Sequence, residues 1–222
     1  MCFSANASFM AAGVTGIAGI VALSGAKKTW QLLLGAIPLF FALHQAGEGF
    51  LWLGLTHDEH ATWQRPAMFT FLVVAKVVWP ILVPFAFLAA EEQRTRRQVL
   101  GAVAALGVVL AAALAYGLQA YPVSAAIVGR HIQYRLDSPL AFRWITDFAY
   151  AVVTVIPPLA SSDRRMRLLG MLVLGSLIVS KIFFYETFIS VWCFFAALIS
   201  VMIVLIVKAA SRATPSPRTA AS

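Results

Sequence analysis

Apolar segments long enough to cross a lipid bilayer follow one another along this chain, separated by only short polar stretches. A membrane-spanning helix needs about 20 apolar residues. On that criterion the sequence predicts an all-α, polytopic membrane protein with seven transmembrane helices. The predicted helices cover residues 4–26, 30–55, 67–90, 98–120, 140–160, 168–186 and 187–209. They form a single seven-helix transmembrane domain over residues 1–209, followed by a polar tail, residues 210–222, that we expect to be disordered.

The composition excludes the main alternatives to a membrane protein. Of the 222 residues, 61% are hydrophobic and 12% are charged, whereas a soluble domain carries about 25% charged residues. The two cysteines are too few for a disulfide scaffold. The net charge of +8 is spread over separate loops, so it does not indicate nucleic-acid binding. The predicted partner is therefore the lipid bilayer, and no nucleic-acid partner is expected.

Lysine and arginine are distributed unevenly between the two sets of alternate loops. One set, with the C-terminal tail, carries eleven of them and the other set carries four. Loops rich in positive charge stay in the cytoplasm. The sequence therefore predicts an N-terminus outside and a cytoplasmic C-terminus.

The second predicted span contains a histidine and a glutamate on one helix face. His44 and Glu48 are four residues apart, and Trp52 continues the same stripe. Gly47 and Gly49 remove side-chain bulk beside Glu48, so that a ligand or a neighbouring helix can approach. The pair is suited to sharing a metal ion or to forming a carboxylate–imidazolium pair. The alternative is a buried pair that only satisfies its own hydrogen bonds.

Other ionisable residues in the spans lie at similar predicted depths. Measured from the outer ends at about 1.5 Å per residue, they lie roughly 8–16 Å deep, all in the outer half. They are Glu48, Asp147, Lys181 and Cys193, with His44 and Lys76 deepest. Charges in a bilayer are costly and are expected to face a cavity or a partner. The pattern predicts a polar cavity open to the exterior, and a purely structural ion-pair network is the alternative.

Three local features add detail to this cavity. Pro80 lacks an N–H, so the carbonyl of Lys76 is expected to lose its usual helical partner, which predicts a kink beside Trp79. Asp147 has Arg143 four residues before it as a candidate ion-pair partner. The longest loop, residues 121–138, alternates in polarity and predicts an extended segment or small hairpin over the cavity mouth.

These observations define the candidate site residues. The predicted catalytic residues are His44, Glu48 and Asp147. The predicted ligand-binding residues are Lys76, Trp79, His131, Tyr134, Lys181 and Glu186. The cofactor is unknown, and a divalent metal such as zinc is one option, with the ligands Cys2, His44, Glu48 and Cys193. A disulfide between Cys2 and Cys193 is the competing prediction for the two thiols.

Four segments of the chain together resemble a family of small, uncharacterised bacterial membrane proteins. They are residues 1–5 (MCFSA), 44–49, 131–134 and 190–197. The resemblance spans most of the chain and implies seven spans in a bacterial inner membrane, but no assigned activity. A looser resemblance is to seven-span zinc amidases such as alkaline ceramidases, which use several intramembrane histidines. Here His44 is the only histidine within the predicted spans, so a three-histidine zinc site inside them is excluded.

Three functions are compatible with this sequence. The first is an outward-facing site that binds, or also hydrolyses, a small or lipid-like ligand, with a metal-bound water as the nucleophile if metal is present. The second is a proton- or anion-coupled transporter or sensor, although inverted repeats and paired broken helices are not evident. The third is a structural accessory subunit of a membrane complex. The sequence favours the first and leaves open whether the protein is an enzyme.

Overall fold

Helices that run alternately up and down form seven rods within the described part of the chain. The computed structural model describes residues 4–213, without the side chains of residues 186, 189, 190, 193, 196, 198 and 213. The helices are α1 (Ala5–Ser24), α2 (Thr29–Thr56), α3 (Gln64–Val73), α4 (Trp79–Ala90), α5 (Arg94–Ala120), α6 (Leu140–Ala160), α7 (Arg164–Phe183) and α8 (Phe188–Ala213). A 3₁₀ turn, Asp58–Trp63, precedes α3, and a π-helical segment, Val74–Val78, joins α3 to α4 in one rod.

Five helices are long and apolar enough to cross a membrane among the residues that the structure describes. They are Ala5–Ser24, Asp58–Ala90, Arg94–Ala120, Leu140–Ala160 and Arg164–Phe183. The prediction of a mainly helical, multi-pass membrane protein is therefore confirmed. The observed bounds lie within a few residues of the predicted ones. At the C-terminal end, α8 continues to Ala213, so residues 210–213 of the predicted tail are helical, and the rest of the tail lies outside the described residues.

Helix α2 lies at the centre of the bundle. It packs against α1, α3, α4 and α8. Gly19 of α1 lets the two backbones approach, because a Cβ there would lie 2.9 Å from the backbone nitrogen of Leu39. Its neighbours hold α2 away from lipid along most of its length, so polar side chains on α2 are enclosed by protein.

One end of the bundle carries a two-stranded antiparallel hairpin, and we call this the hairpin end. Strand β1 (Val123–Val128) pairs with β2 (His131–Leu136), and Val128 faces His131 across a two-residue turn. Gly129 supplies the positive φ of 62° that this turn needs. The side chain of Ile132 is fully buried and fixes the hairpin to the bundle. The predicted extended segment is confirmed as a hairpin.

The π-helical segment changes which carbonyl loses its partner at Pro80. The backbone N–H of Trp79 donates to Val74, five residues earlier, instead of to Ala75. The Ala75 carbonyl would then need the nitrogen of Pro80, which carries no hydrogen. The hydroxyl of Tyr150 on α6 donates to this carbonyl instead. The sequence placed the missing backbone bond at the Lys76 carbonyl, whereas the π register moves it one residue earlier, to the Ala75 carbonyl, which accepts from the Tyr150 side chain instead.

The opposite end of the bundle is joined by a network around Glu91, and we call it the Glu91 end. The carboxylate of Glu91 is 1% exposed and accepts N–H bonds from Gln93 at 3.0 Å and Ser162 at 2.8 Å. The guanidinium of Arg96 donates to the Ala160 carbonyl at 2.7 Å. Burial alone would raise the pKa of Glu91, but the two N–H bonds and the charge of Arg96 outweigh it, and the pKa lies below its usual value. The network fixes the α4–α5 turn against the α6–α7 turn.

We expect Glu91→Gln to lower the free energy of unfolding by about 1–2 kcal/mol at pH 7, because the variant loses charge-assisted hydrogen bonds. A carboxyl whose pKa is lowered on folding stabilises the fold above its unfolded pKa, near 4, and loses this contribution as the pH falls through the lower folded value. The difference between the two proteins should therefore shrink below about pH 4. Denaturant unfolding in detergent micelles at several pH values measures this difference. The exposed neighbour Glu92 supplies the control Glu92→Gln, and equal losses in both variants would contradict the assignment.

Candidate functional site

Three adjacent polar side chains of α2 are completely enclosed in the bundle. His44, Gln45 and Glu48 are each 0% exposed. Helical spacing of four places His44 and Glu48 on one face, and the helices around α2 cover that face. Lys76, from the π-helical segment, is half-buried. The expectation that His44 and Glu48 point into the bundle is confirmed by their burial.

The two glycines beside Glu48 face neighbouring helices. A Cβ at Gly47 would meet the backbone of α3, 3.5 Å from the Ala67 oxygen, and one at Gly49 would meet the Phe9 ring of α1 at 2.8 Å. The sequence left open whether these glycines admit a ligand or a neighbouring helix. In the structure both positions are in contact with neighbouring helices.

A column of stacked rings connects the hairpin to His44. The ring of Tyr134 on β2 stacks on Phe71 with centroids 4.3 Å apart and an interplanar angle of 6°. The other stack, Phe71 on His44, has centroids 3.8 Å apart and an angle of 22°. Below it, the Trp79 ring lies 6.5 Å from His44 and 4.3 Å from Phe41. Tyr134 and Trp79, both predicted from sequence, thus belong to one aromatic column with His44.

Two buried indole groups lie close to this polar stretch without a hydrogen-bond acceptor among the described residues. They are the Nε1–H groups of Trp52, one turn from Glu48, and of Trp79, beside His44. The two side chains are 7% and 5% exposed. Buried donors in proteins are normally bonded, so each such group requires an explanation. A ligand oxygen reaching this region would satisfy them.

A half-open cavity of about 530 Å³ lies at the hairpin end, between α2, α3, α5 and β1. Its apolar wall includes Leu51 and Leu55, which continue the His44–Glu48 face of α2 toward the hairpin end. Its polar wall consists of Gln64, Arg65, Gln119, Tyr121 and Ser124. The same face of α2 therefore leads from this cavity down to the buried polar pair.

A second, smaller cavity of about 80 Å³ lies deeper in the bundle and is almost entirely apolar. Trp79, Phe41 and Tyr150 line it, together with Trp192 of α8. The Trp192 indole donates to the Ser176 hydroxyl at 3.1 Å. This cavity offers space for an apolar group below the aromatic column.

The structure separates two predicted site residues from the enclosed group. Asp147 and Lys181 are exposed on α6 and α7. Neither side chain therefore points into the enclosed group, because the depth of a residue along its helix does not determine the direction in which it points. The sequence predicts that at least two of Lys76, Asp147, Lys181 and Glu186 lie beside one cavity with His44 and Glu48, and this stays a prediction for Lys76 and Glu186. Nor does Asp147 form an ion pair with Arg143 in the described part of the chain. The ammonium of Lys181 lies 4.8 Å from the centroid of the Phe188 ring.

His131 lies at the start of β2, partly buried beside Phe184, with ring centroids 5.5 Å apart. Burial lowers its pKa below the usual value, so its imidazole is neutral at pH 7. Its neutral ring can accept a hydrogen bond from a ligand at the hairpin end. Whether His131 binds a ligand stays a prediction.

Within the described residues, no group of three or more His, Cys, Asp or Glu side chains is arranged to hold a metal ion. Cys2 and the side chains of Glu186 and Cys193 lie outside those residues. The metal and disulfide predictions that involve them therefore stay predictions.

Sequence reasoning missed the polar wall of the larger cavity. Arg65 and Tyr121 fall in the breaks between the predicted spans, and Gln119 lies at the end of the fourth span. The sequence feature that could have indicated a shared site is their common position at the predicted outer ends of the third and fourth spans. Only the cavity that α3, α5 and β1 line together shows that these residues face one space.

The fold and its enclosed polar group define a multi-pass, helical membrane protein with a polar interior near the hairpin end. The model of a family of unknown function (DUF6629) matches residues 1–220, and the chain belongs to that family. Neither the curated proteins nor the solved structures include a match.

Proposed function

We propose that this protein is a binding protein of a bacterial inner membrane, with seven spans, that holds a small or lipid-like ligand in its outward-facing half. The hairpin end faces the exterior in this proposal, with the N-terminus outside and the C-terminus in the cytoplasm. The uneven distribution of lysine and arginine supports this orientation. A topology reporter fused after Ser222 tests it, and a periplasmic signal would reverse the assignment.

The observation that carries the proposal is that one face of α2 lines the cavity and, further along the helix, bears the enclosed polar pair. Leu51 and Leu55 line the cavity on the face of α2 that bears His44 and Glu48. An ionisable pair is costly inside a membrane and is retained mainly for function. The unbonded indole donors of Trp52 and Trp79 lie beside the pair. A polar ligand atom at this depth would meet acid, imidazole and indole groups together.

The cavity walls indicate an amphiphilic ligand. Its apolar wall is suited to a hydrocarbon segment, and its polar wall carries one charged group, Arg65, among the described lining residues. The ring of Phe69 lies 5.9 Å from the Arg65 guanidinium carbon and helps to orient it. An arginine at the mouth of the cavity favours a ligand whose head carries a phosphate or carboxylate. His44 and Glu48 would then bind a deeper polar group, or act on it if the protein is an enzyme.

We expect Ala125→Trp to weaken ligand binding strongly, because Ala125 on β1 lines the cavity and the indole would occupy part of it. Ala126→Trp is the matched control, since the next residue of the strand points to the opposite side and is exposed. The probe is a fluorescently labelled phosphatidylglycerol, titrated onto protein in nanodiscs. Saturable binding should weaken by at least about tenfold in Ala125→Trp, which corresponds to about 1.4 kcal/mol, and should persist in Ala126→Trp.

Two further variants and one measurement extend this experiment. His44→Gln and Glu48→Gln show whether the enclosed pair contributes to affinity. The metal content of the native protein and of His44→Gln tests the metal-bound version, which predicts stoichiometric metal that the variant loses. Native protein without saturable binding, or equal binding by both tryptophan variants, would contradict the proposed site.

A further inference from the structure

The hairpin-end halves of α6 and α7 carry a cluster of strongly exposed apolar side chains. On α6, Trp144 is 68% exposed and Phe148 is 74% exposed. On α7 and the turn after it, Phe183 is 73% exposed and Tyr185 is 71% exposed. We call the exposed residues within 143–148 and 181–185 the α6–α7 surface. Among the other described large apolar residues, only Met10 is exposed to this degree.

This surface also carries three charged side chains, all exposed: Arg143, Asp147 and Lys181. At about 1.5 Å per residue, Asp147 lies roughly 10 Å from the hairpin end of α6 and roughly 20 Å from its other end. It therefore lies well inside a hydrocarbon core about 30 Å thick. On α7, Lys181 lies roughly 25 Å from the Glu91 end of its helix. It is therefore about one helical turn closer to the hairpin end than Asp147.

An ionised Asp147 that faces lipid inside the hydrocarbon core is energetically costly. Its side chain is too short to reach the polar headgroups, unlike that of a lysine or arginine. Anionic lipid phosphates would repel it. An exposed carboxylate at this depth therefore needs a cationic partner that the lipid environment does not supply.

We propose that a second copy of this chain covers the α6–α7 surface, with Asp147 of each copy paired with Lys181 of the other. A two-fold axis brings the same surface of both copies together, so a surface that carries both signs of charge is complementary to itself. The long side chain of Lys181 spans the offset of about one helical turn. The aromatic side chains around the charges pack against each other and exclude lipid from the ion pairs.

Charge complementarity favours a second copy over the other occupants. A phospholipid would satisfy Lys181 but not Asp147. A different protein would need its own basic residue at the depth of Asp147, whereas this chain already supplies one on the same surface. The proposal concerns a face separate from the ligand cavity and does not depend on the proposed function.

The test uses two charge-reversed chains with different affinity tags, Asp147→Lys and Lys181→Glu. When either variant is expressed alone, like charges face each other at both contacts. We therefore expect the self-association constant to fall by at least about tenfold, which corresponds to about 1.4 kcal/mol. When the two variants are co-expressed, both contacts join opposite charges. Pull-down through one tag should then recover the other chain nearly as well as with native protein. Arg94→Glu, an exposed change at the Glu91 end, is the control and should leave association unchanged.

A measurement on the native chain supports the test if a variant does not fold. Dye-labelled native protein in liposomes should bleach mainly in two steps over a range of dilutions. Single-step bleaching throughout would overturn the proposal, and so would failure of the mixed variants to associate when both are folded. Unchanged self-association of each single variant would assign the surface to lipid or to another protein, and would also overturn it.

Discussion

Replacing Gly107 by alanine is expected to lower the free energy of unfolding by about 2–3 kcal/mol, the cost of overpacking a close helix contact. A Cβ at position 107 of α5 would overlap the carbonyl oxygen of Pro80 and lie 3.2 Å from a ring carbon of Pro84. Backbone atoms cannot move aside as the end of a flexible side chain can. The variant therefore has to separate α5 from α4. Unfolding in detergent micelles, followed by circular dichroism, measures the loss.

Gly101 provides the matched control on the same helix. A Cβ there would meet nothing within 4 Å, so Gly101→Ala should be neutral or stabilising by up to about 1 kcal/mol, the helix-propensity difference between the two residues. Similar effects at both positions would show that the close contact between Gly107 and Pro80 does not limit the packing of α4 and α5.

Tyr150→Phe is expected to destabilise the fold by about 1–3 kcal/mol, the usual cost of a buried polar group left without its bond. The Ala75 carbonyl accepts from the Tyr150 hydroxyl because the π register and Pro80 leave it without a backbone donor. The phenylalanine ring keeps the contact with Trp192, whose centroid lies 5.9 Å away. The same unfolding assay measures the effect. The control is Tyr116→Phe on α5, because the Tyr116 side chain is exposed.

A second substitution tests the cause of this effect. Pro80→Ala restores an N–H five residues after Ala75, where the π register needs a donor. The loss caused by Tyr150→Phe should therefore be smaller in a Pro80→Ala background. If the two substitutions change the free energy of unfolding additively, the Tyr150 hydroxyl does not stabilise the fold through its bond to the Ala75 carbonyl.

The helices and the hairpin could be predicted from sequence because their signals are local. Apolar length determines each helix, and alternation with a glycine turn determines the hairpin around Gly129. The π-helical segment could not be predicted, because Pro80 removes a donor from either register and only the packing of Tyr150 favours one of them. A single sequence therefore indicates where a helix is irregular but not which carbonyl is left free.

The candidate site was predictable in depth but not in direction. His44 and Glu48 could be placed on one face from their spacing alone, and that face proved to be enclosed. Asp147 has a similar predicted depth, but it lies on the uncovered face of the hairpin-end half of α6, so its side chain is exposed. The cavity near Arg65 joins three separate segments of the chain, and no local pattern contains that information.

The stacked rings of Tyr134, Phe71 and His44 connect the hairpin to the interior of the bundle. The hairpin supplies the outermost ring, so a molecule that pulls β2 away from the bundle would uncover Phe71 and admit water toward the imidazole. The enclosure of the imidazole therefore depends on a strand at the hairpin end as well as on the helices that surround α2.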